Sequence, residues 1–333
     1  MILKNLNGEK LLSSFKLAFP LICILATSVA IFGQDAEPSP TPPNQRDNTD
    51  ERIKVNTDLV SLTLTVTDYY GRFVSGLKKE HFKIYDNKKE QKITFFSDTD
   101  APVSIGILFD VSDSMSGEKI AKARKALSRF METSHPRDEY FLIAFNNRAE
   151  LLMDKTRDGE AVLQKLTLVH PKSDTALYDA VYLGVDRVTH GSHKKKALLI
   201  ISDGQDNSSR YSFKEVRRLM KESDVVIYSV GIMGGNDFGS MTGMAGQAFL
   251  DELSNVTGGK SFYPNTSVEM DEIFERIALE LRHQYSIGYT PDDFQPNGEW
   301  RKVKVKVEPP PGLPRLTVRN REGYYASPSS DYQ

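Results

Sequence analysis

The sequence predicts an α/β domain with a doubly wound, mostly parallel sheet, inserted into an all-β sandwich that is discontinuous along the chain. Between residues 102 and 283, apolar runs of strand length alternate with segments of helical periodicity, which is typical of a parallel sheet covered by helices. In the flanking segments 53–101 and 284–326, apolar and polar residues alternate as in half-buried strands. Each flank is too short for a sandwich of about 100 residues, but together they approach that length.

The N-terminus has the pattern of a secretory signal, which we place at residues 1–33. Three lysines precede an apolar stretch from Leu17 to Phe32, and small residues follow near Gly33. An uncleaved membrane anchor is the alternative. In either case we expect export to the periplasm, the cell surface or the extracellular space. Cys23 lies inside the apolar stretch, so the mature chain would have no disulfide and must rest on its core.

The composition is typical of a globular protein, and its positive and negative charges are nearly balanced. Lys+Arg number 43 and Asp+Glu 45, which gives a formal net charge of −2, so we expect no nucleic-acid partner. Residues 34–52 are rich in proline and charge and are interpreted as a linker. Residues 327–333 are expected to form a disordered tail, and contact with a membrane is expected only through an uncleaved N-terminal segment.

The first β segment begins with a clear alternation of apolar and polar residues over 60–67. A turn follows at 68–71, and further strand patterns lie near Phe73, at 82–85 and at 93–96. We therefore expect about four short strands before the α/β domain begins.

The α/β segment opens with a continuous apolar run from Val103 to Phe109, which ends at Asp110. The last helix is expected to close this segment near His283. The predicted strands after the first are 140–145, 197–201 and 225–230, and the predicted helices are 120–131, 177–188, 213–220 and 270–281. Strand patterns then return at 285–289, 303–307, 316–318 and 324–325, with Lys302, Lys304 and Lys306 interleaved among valines.

Oxygen-bearing side chains follow strands of the predicted parallel sheet, where open α/β sheets place their ligand sites. A D-x-S-x-S run begins at Asp110, Thr175 stands where a helix begins, and Asp203 follows a later strand. Each loop alone would be interpreted as helix capping or a turn, so their joint occurrence carries the prediction. Two carboxylates and three hydroxyls form an all-oxygen set suited to Mg²⁺, Mn²⁺ or Ca²⁺ and poorly suited to zinc.

This set resembles the metal-ion-dependent adhesion site (MIDAS) of von Willebrand factor type A (VWFA) domains, with the match covering residues 102–283. The resemblance implies a divalent metal, most simply Mg²⁺, and an open metal position filled by an acidic group of a partner. The metal positions it implies are Asp110, Ser112, Ser114, Thr175 and Asp203. The flanks, with Gly71-Arg72-Phe73-Val74 and the closing 285–289 and 323–325 segments, resemble the exported bacterial proteins called VWFA-related.

The expected function is that of an exported, non-enzymatic adhesion module that binds the acidic group of a protein partner through the metal. A metal-dependent hydrolase is the first alternative, but it needs a general base, and the motif loops contain neither a histidine nor a G-x-S-x-G elbow. A structural envelope scaffold with a purely stabilising metal is the second. A chelatase-like subunit would need an ATPase partner, which export disfavours.

Four further segments have simpler interpretations. Residues 233–248 are rich in glycine and methionine and are interpreted as a loop on the metal rim, with a flexible surface loop or a binding segment as alternatives. Asp206 and Asn207 are interpreted as solvated turn residues, although they lie close enough to Asp203 to shape the rim. The histidine- and lysine-rich segment 190–196 is expected to be a solvated loop. The carboxylates at 269–272 are explained by the dipole of the last helix.

Overall fold

The apolar patterns of the sequence account for most of the strand and helix boundaries. A computed structural model of the protein describes residues 59–171, 174–234 and 240–326. The predicted signal segment, the linker and the C-terminal tail lie outside the described residues.

The strands of the described chain are short, as in most globular domains. Their bounds are β1 (Val60–Thr67), β2 (Phe82–Asp86), β3 (Lys89–Gln91), β4 (Ile93–Ser97), β5 (Val103–Asp110), β6 (Glu139–Phe145), β7 (Ala149–Thr156), β8 (Lys195–Ser202), β9 (Val226–Gly231), β10 (Lys260–Phe262), β11 (Tyr285–Tyr289), β12 (Trp300–Val307), β13 (Thr317–Arg319) and β14 (Gly323–Tyr325). Two 3₁₀ turns, Lys79–His81 and Asp113–Met115, precede β2 and follow β5.

The α-helices of the described residues all belong to the segment between β5 and β11. Their bounds are α1 (Glu118–Thr133), α2 (Gly159–Thr167), α3 (Leu177–Thr189), α4 (Phe213–Glu222), α5 (Met241–Thr257) and α6 (Ser267–Arg282). Among the described helices, none combines the length and the apolar character that crossing a bilayer requires.

A six-stranded sheet forms the centre of the α/β segment, in the order β10-β9-β8-β5-β6-β7. All neighbouring pairs are parallel except β6 and β7, which are antiparallel. Every residue of β5 is buried, because helices cover both faces of the sheet. Helices α1, α2 and α6 pack on one face, and α3, α4 and α5 pack on the other.

Two four-stranded antiparallel sheets combine strands from both flanks of the α/β segment. Their orders are β13-β1-β11-β4 and β14-β12-β2-β3, so each contains partners from either side of the α/β insertion. Leu64, Ile84, Ile287 and Val305 belong to one shared core between these strands. The fold class is thereby confirmed, while the domain boundaries at 102 and 283 remain predictions.

A buried carboxylate joins the two flanks. Asp86 of β2 is fully buried and accepts hydrogen bonds from the hydroxyls of Tyr289 (3.0 Å) and Tyr324 (2.7 Å). It also pairs with Arg301 of β12, whose Nε lies 2.9 Å from Oδ1. Removal of Asp86 would leave Arg301 with Asp293 as its remaining ionic partner and would remove the acceptor of both tyrosine hydroxyls, which is costly.

The structure contains elements that the sequence did not predict: β3, β7, α2, β10 and α5. The strand expected near Phe73 is only an isolated bridge to Thr67. Strand β7 is half exposed, so it lacks the continuous apolar run of a central strand. Strand β10 is three residues long, too short for a periodic signal. The prediction of a loop over 233–248 is wrong from Met241 onward, since these residues begin α5.

The prediction of a solvated loop over 190–196 is wrong at its C-terminal end. Lys195 and Lys196 begin β8, and Lys195 is only 7% exposed, with its Nζ 3.1 Å from the carbonyl oxygen of Gln284. Register with the buried strand β5, where Lys195 is opposite Val103, explains the burial. His190 remains exposed, as expected.

Candidate metal centre

Two aspartates of the candidate site stand at the ends of neighbouring parallel strands. Strand β5 ends at Asp110, and Asp203 immediately follows β8. The register pairs Phe109 with Ile201, which brings the residues that follow them to the same edge of the sheet. Both carboxylates are fully buried.

Hydrogen bonds fix the Asp110 carboxylate from two sides. The Ser202 hydroxyl donates to Oδ2 at 2.6 Å, and the backbone N–H of Ser112 donates to Oδ1 at 2.9 Å. Burial raises the pKa of Asp110 to about 6, although hydrogen bonds from Ser112 and Ser202 oppose the shift, and the charge of Asp203 raises the pKa further. The influence of Asp203 indicates that the two carboxylates share one electrostatic site.

The two serines of the D-x-S-x-S run lie close together after β5. Their hydroxyl oxygens are 3.0 Å apart. Ser112 is buried, whereas Ser114 is exposed, so the pair runs from the buried carboxylate toward solvent. This arrangement places two hydroxyl oxygens, which could act as metal ligands, at the opening of the site.

Thr175 is positioned by the loop that follows Asp203. Its backbone N–H donates to the Asn207 side-chain oxygen at 2.8 Å, and its carbonyl accepts from the N–H groups of Asn207 (3.0 Å) and Ser208 (3.1 Å). Asp206 accepts from the N–H of Tyr178 at 2.9 Å, in the first turn of α3. The prediction that Asp206 and Asn207 are merely solvated turn residues is therefore wrong, because both bind the segment that carries Thr175.

The end of β6 joins the remaining loops. The carbonyl of Phe145 accepts from the N–H of Val111 at 2.8 Å, and the carbonyl of Asn146 accepts from the N–H of Ala176 at 2.6 Å. With the bonds from Ser202 to Asp110 and from Thr175 to Asn207, these contacts connect all three candidate loops. The five residues that the sequence selects thus lie on loops held together by one hydrogen-bond network.

Helix α5 supports the Asp203 loop from behind. A Cβ on Gly204 would lie 2.5 Å from the carbonyl oxygen of Gly246, and a Cβ on Gly246 would lie 2.7 Å from the carbonyl oxygen of Asp203. Gly204 also has a φ of +83°, a conformation that glycine adopts without strain. The Gly- and Met-rich segment therefore contributes a close backbone contact to the site.

The charges of the site favour a cation. In the described part of the chain, no lysine, arginine or histidine forms an ion pair with Asp110 or Asp203. Two adjacent buried carboxylates without a counter-charge are unfavourable. A divalent ion would supply that charge, and hard cations prefer oxygen donors of this kind. The residues present therefore fit such an ion.

The described residues contain no further cluster of histidine, cysteine or carboxylate side chains that could hold a metal. Over 59–171, 174–234 and 240–326, no group of three or more His, Cys, Asp or Glu side chains is placed to hold a metal. The candidate centre has two carboxylates and depends on hydroxyls for its other donors, which distinguishes it from a typical zinc or calcium cage.

Sequence analysis missed several residues that organise this centre. Ser202 donates directly to Asp110, Asn207 binds the backbone of Thr175, and Gly246 backs the Asp203 loop. Ser202 carried a usable signal, since it ends an apolar strand next to Asp203. Gly246 carried none, because its role depends on how α5 packs.

Sequence comparison finds distant relatives, among them two that match more than half of this chain. An uncharacterised protein of Borreliella burgdorferi is 25% identical over 229 residues, covering 62% of this chain and 62% of that protein. The inter-alpha-trypsin inhibitor heavy chain H4 of Homo sapiens is 24% identical over 214 residues, covering 57% of this chain and 22% of that protein. The chain thus spans less than two thirds of the length of either relative.

Solved structures with low sequence identity also match. A von Willebrand factor type A structure from Catenulispora acidiphila has a TM-score of 0.46 at 12% identity, covering 79% of this chain and 74% of that one. Proximal thread matrix protein 1 from the mussel byssus, described with a zinc-occupied MIDAS motif, has a TM-score of 0.46 at 16% identity and covers 59% of this chain and 49% of that one.

The family assignment rests on a model of the domain itself. The model of the von Willebrand factor type A domain matches residues 104–276, more than half of the 333-residue chain. The match begins in β5 and ends in α6, so it spans the whole central sheet and all three loops of the candidate centre. The chain therefore belongs to the von Willebrand factor type A domain family.

Proposed function

We propose that this protein is an exported, non-enzymatic interaction module that binds an acidic group of a protein partner through a divalent metal, most simply Mg²⁺. Domains of this family are typically protein-interaction and adhesion modules. The residues proposed to hold the metal are Asp110, Ser112, Ser114, Thr175 and Asp203.

One observation carries the proposal: two fully buried carboxylates, Asp110 and Asp203, share a site in which neither has a cationic partner among the described residues. Charges buried in this way are retained when they are paired or coordinate a metal. The exposed hydroxyl of Ser114 marks the side from which a partner would approach.

The chain's own residues have separable roles in this proposal. Asp110 and Asp203 supply the negative charge, Ser202 orients the Asp110 carboxylate, and Asn207 holds the backbone of Thr175. A bound divalent ion would supply the positive charge that attracts a carboxylate of the partner. The site would then provide a binding position for one acidic group, and the rest of the partner would determine the specificity of binding.

A hydrolase is disfavoured by the residue types at the centre. The motif segments 110–114, 173–180 and 201–204 contain no histidine, and a metal-dependent hydrolase needs a general base near its nucleophilic water. Assays with generic esterase and phosphatase substrates, with and without Mg²⁺, test this part of the proposal. Turnover that depends on Mg²⁺ and on Asp110 would contradict it.

Partner capture tests the binding role. The full chain is immobilised and exposed to extracts of the native envelope in Mg²⁺ and in EDTA. We expect Asp110→Ala and Asp203→Ala to abolish capture in Mg²⁺, because each removes a carboxylate without removing an apolar contact. The control is Lys122→Ala, which changes a residue on the exposed face of α1. Lys195→Ala would not serve as a control, because Lys195 is buried.

The outcomes separate the candidate functions. Capture that EDTA abolishes and Mg²⁺ restores supports metal-mediated binding. Capture that is insensitive to EDTA and to both aspartates would assign partner binding to the β sheets. A metal that raises the melting temperature without any partner capture would favour the structural scaffold. In each of these cases the proposed location of the protein stays the same: the periplasm, the cell surface or the extracellular space.

A further inference from the structure

A row of lysines projects from the outer face of β12. Lys302, Lys304 and Lys306 are exposed, and they alternate with the buried Val303 and Val305. Strand geometry places successive lysines about 7 Å apart on the same face. Like charges at this spacing repel one another unless a counter-charge lies opposite them.

The row lines a surface hollow of about 680 Å³. Tyr85, Asn87 and Lys88 complete its wall, so four of its lining residues are lysines and none is acidic. The Nζ of Lys306 lies 4.9 Å from the centre of the Tyr85 ring. This hollow is therefore strongly basic, with an aromatic ring at one side.

A second basic hollow, of about 530 Å³, lies along α4. Its basic lining residues are Lys214, Arg217, Arg218 and Lys221. Its one acidic lining residue is Glu215, whose carboxylate accepts from the N–H of Ser212 in the helix cap. The Glu215 carboxylate is thus bound at the N-terminus of α4.

An aromatic pair joins the two hollows. Trp300 begins β12, and its ring centre lies 5.0 Å from that of Tyr325, which lines the second hollow. The Nζ of Lys221 lies 4.5 Å from the centre of the Trp300 ring. The aromatic pair therefore lies between the lysines of β12 and those of α4; we call the two hollows and this pair the lysine belt.

The belt is an exception to the charge of the whole protein, which is −2. Arg217 and Arg218 are paired with Glu252 and Glu222. By contrast, no described acidic side chain forms an ion pair with any of the β12 lysines. The net charge thus conceals a concentrated basic surface.

We propose that the lysine belt binds a linear phosphodiester polymer. Its lysines would contact successive phosphates, and the Trp300–Tyr325 pair would contact the groups between them. Both hollows are concave, so a narrow chain can enter them, whereas a planar bilayer would contact only their rims. The proposal is independent of the metal centre.

The experiment measures binding of a fluorescent single-stranded oligonucleotide of about 20 nucleotides to the full chain by anisotropy, between about 50 and 200 mM salt. EDTA is present throughout, so that phosphate binding to a metal at the Asp110 site cannot contribute. Inorganic polyphosphate is the second probe, because it carries the charge without groups for aromatic contact. Phosphatidylglycerol vesicles are the third probe.

We expect both polymers to bind and the oligonucleotide to bind more tightly than polyphosphate. The triple variant Lys302→Gln, Lys304→Gln, Lys306→Gln should weaken oligonucleotide binding at least about tenfold. It should also reduce the slope of log K against log salt by about 2, since each phosphate contact contributes about 0.7 for single strands.

The control carries Lys122→Gln, Lys125→Gln and Lys165→Gln. These lysines lie on α1 and α2, across the central sheet from α4, and the variant changes the net charge equally. Equal loss of binding in both triple variants would overturn the proposal, as would the absence of polymer binding at low salt. Binding to the vesicles alone would also overturn it and would assign the belt to a membrane surface.

Discussion

Gly204 and Gly246 meet backbone to backbone behind the candidate metal centre, so closely that a Cβ on Gly204 would lie 2.5 Å from the Gly246 carbonyl oxygen. This contact ties the loop that carries Asp203 to helix α5. No other residue type fits at either position without moving one of the two elements. The position of Asp203 therefore depends on the packing of a helix distant in sequence.

Gly246→Ala tests this dependence. In an exposed helix the change from glycine to alanine stabilises by about 1 kcal/mol, but here the added methyl group would lie 2.7 Å from the Asp203 carbonyl oxygen. We expect a loss of about 1–3 kcal/mol in the free energy of unfolding, measured by urea denaturation, and weaker Mg²⁺ binding by calorimetry. A stabilised variant with unchanged Mg²⁺ affinity would contradict the contact.

Ser202→Ala tests the hydrogen bond to Asp110. The Ser202 hydroxyl stabilises the ionised carboxylate, and hydrogen bonds to charged groups contribute about 1.5–3 kcal/mol. We expect the pKa of Asp110 to rise and the Mg²⁺ affinity to fall about tenfold or more, as measured by carboxyl-carbon NMR and calorimetry. Ser202→Thr, which retains a hydroxyl, is the control. Equal affinities in the alanine variant and the natural chain would exclude a role for Ser202.

The sequence alone predicted the elements with the strongest patterns. The buried run of β5 and the helical spacing of α6 are each clear in a short window, because burial on both faces or on one face leaves a distinct periodicity. Helix α5 was missed since Gly243 and Gly246 lower its intrinsic helix propensity. Tertiary packing against the Asp203 loop overrides that propensity. Strand β7 was missed because an exposed edge strand requires few apolar residues.

The candidate metal ligands could be predicted from the sequence, but the residues that hold them in position could not. Asp110, Thr175 and Asp203 follow or precede recognisable elements, so their convergence follows from the parallel sheet. Asn207 binds the backbone of Thr175 across 32 positions, and no local pattern reports such a contact. Lys195 looked solvated from its neighbours, whereas its register with Val103 buries it.

The affinity for Mg²⁺ should depend on pH. Without metal, the pKa of Asp110 is raised to about 6, so protons compete with the ion below that value. We expect the rise in melting temperature caused by Mg²⁺ to be large near pH 7.5 and small near pH 5. The metal-free protein should show the opposite trend: a carboxyl with a raised folded pKa loses its stabilising contribution as pH rises from about 4 to about 6.

Asp110→Asn serves as the control for this pH dependence, because the amide does not titrate. In Asp110→Asn, the Mg²⁺-induced rise in melting temperature and the stability of the metal-free protein should both depend less on pH. A metal-induced rise in melting temperature that is the same at both pH values would show that Asp110 does not hold the ion.

Fragments test the domain boundaries at 102 and 283. A fragment of residues 102–283 contains the central sheet with its helices and should fold alone, as judged by cooperative thermal unfolding. A fragment of residues 53–283 lacks β11 and β12, the partners of β1 and β2, and exposes Asp86 and apolar faces. It should aggregate. A soluble 53–283 fragment that melts cooperatively in two transitions would contradict a sandwich built from both flanks.

The central proposal is a divalent ion held between Asp110 and Asp203, and calorimetric melting in EDTA and in millimolar Mg²⁺ tests it most directly. A ligand at a hundredfold excess over its Kd stabilises the folded state by about 2.7 kcal/mol, so the natural chain should melt several degrees higher in Mg²⁺. Asp203→Ala should melt at the same temperature in both buffers. Equal melting of the natural chain in EDTA and in Mg²⁺, Mn²⁺, Ca²⁺ or Zn²⁺ would contradict the proposed metal centre.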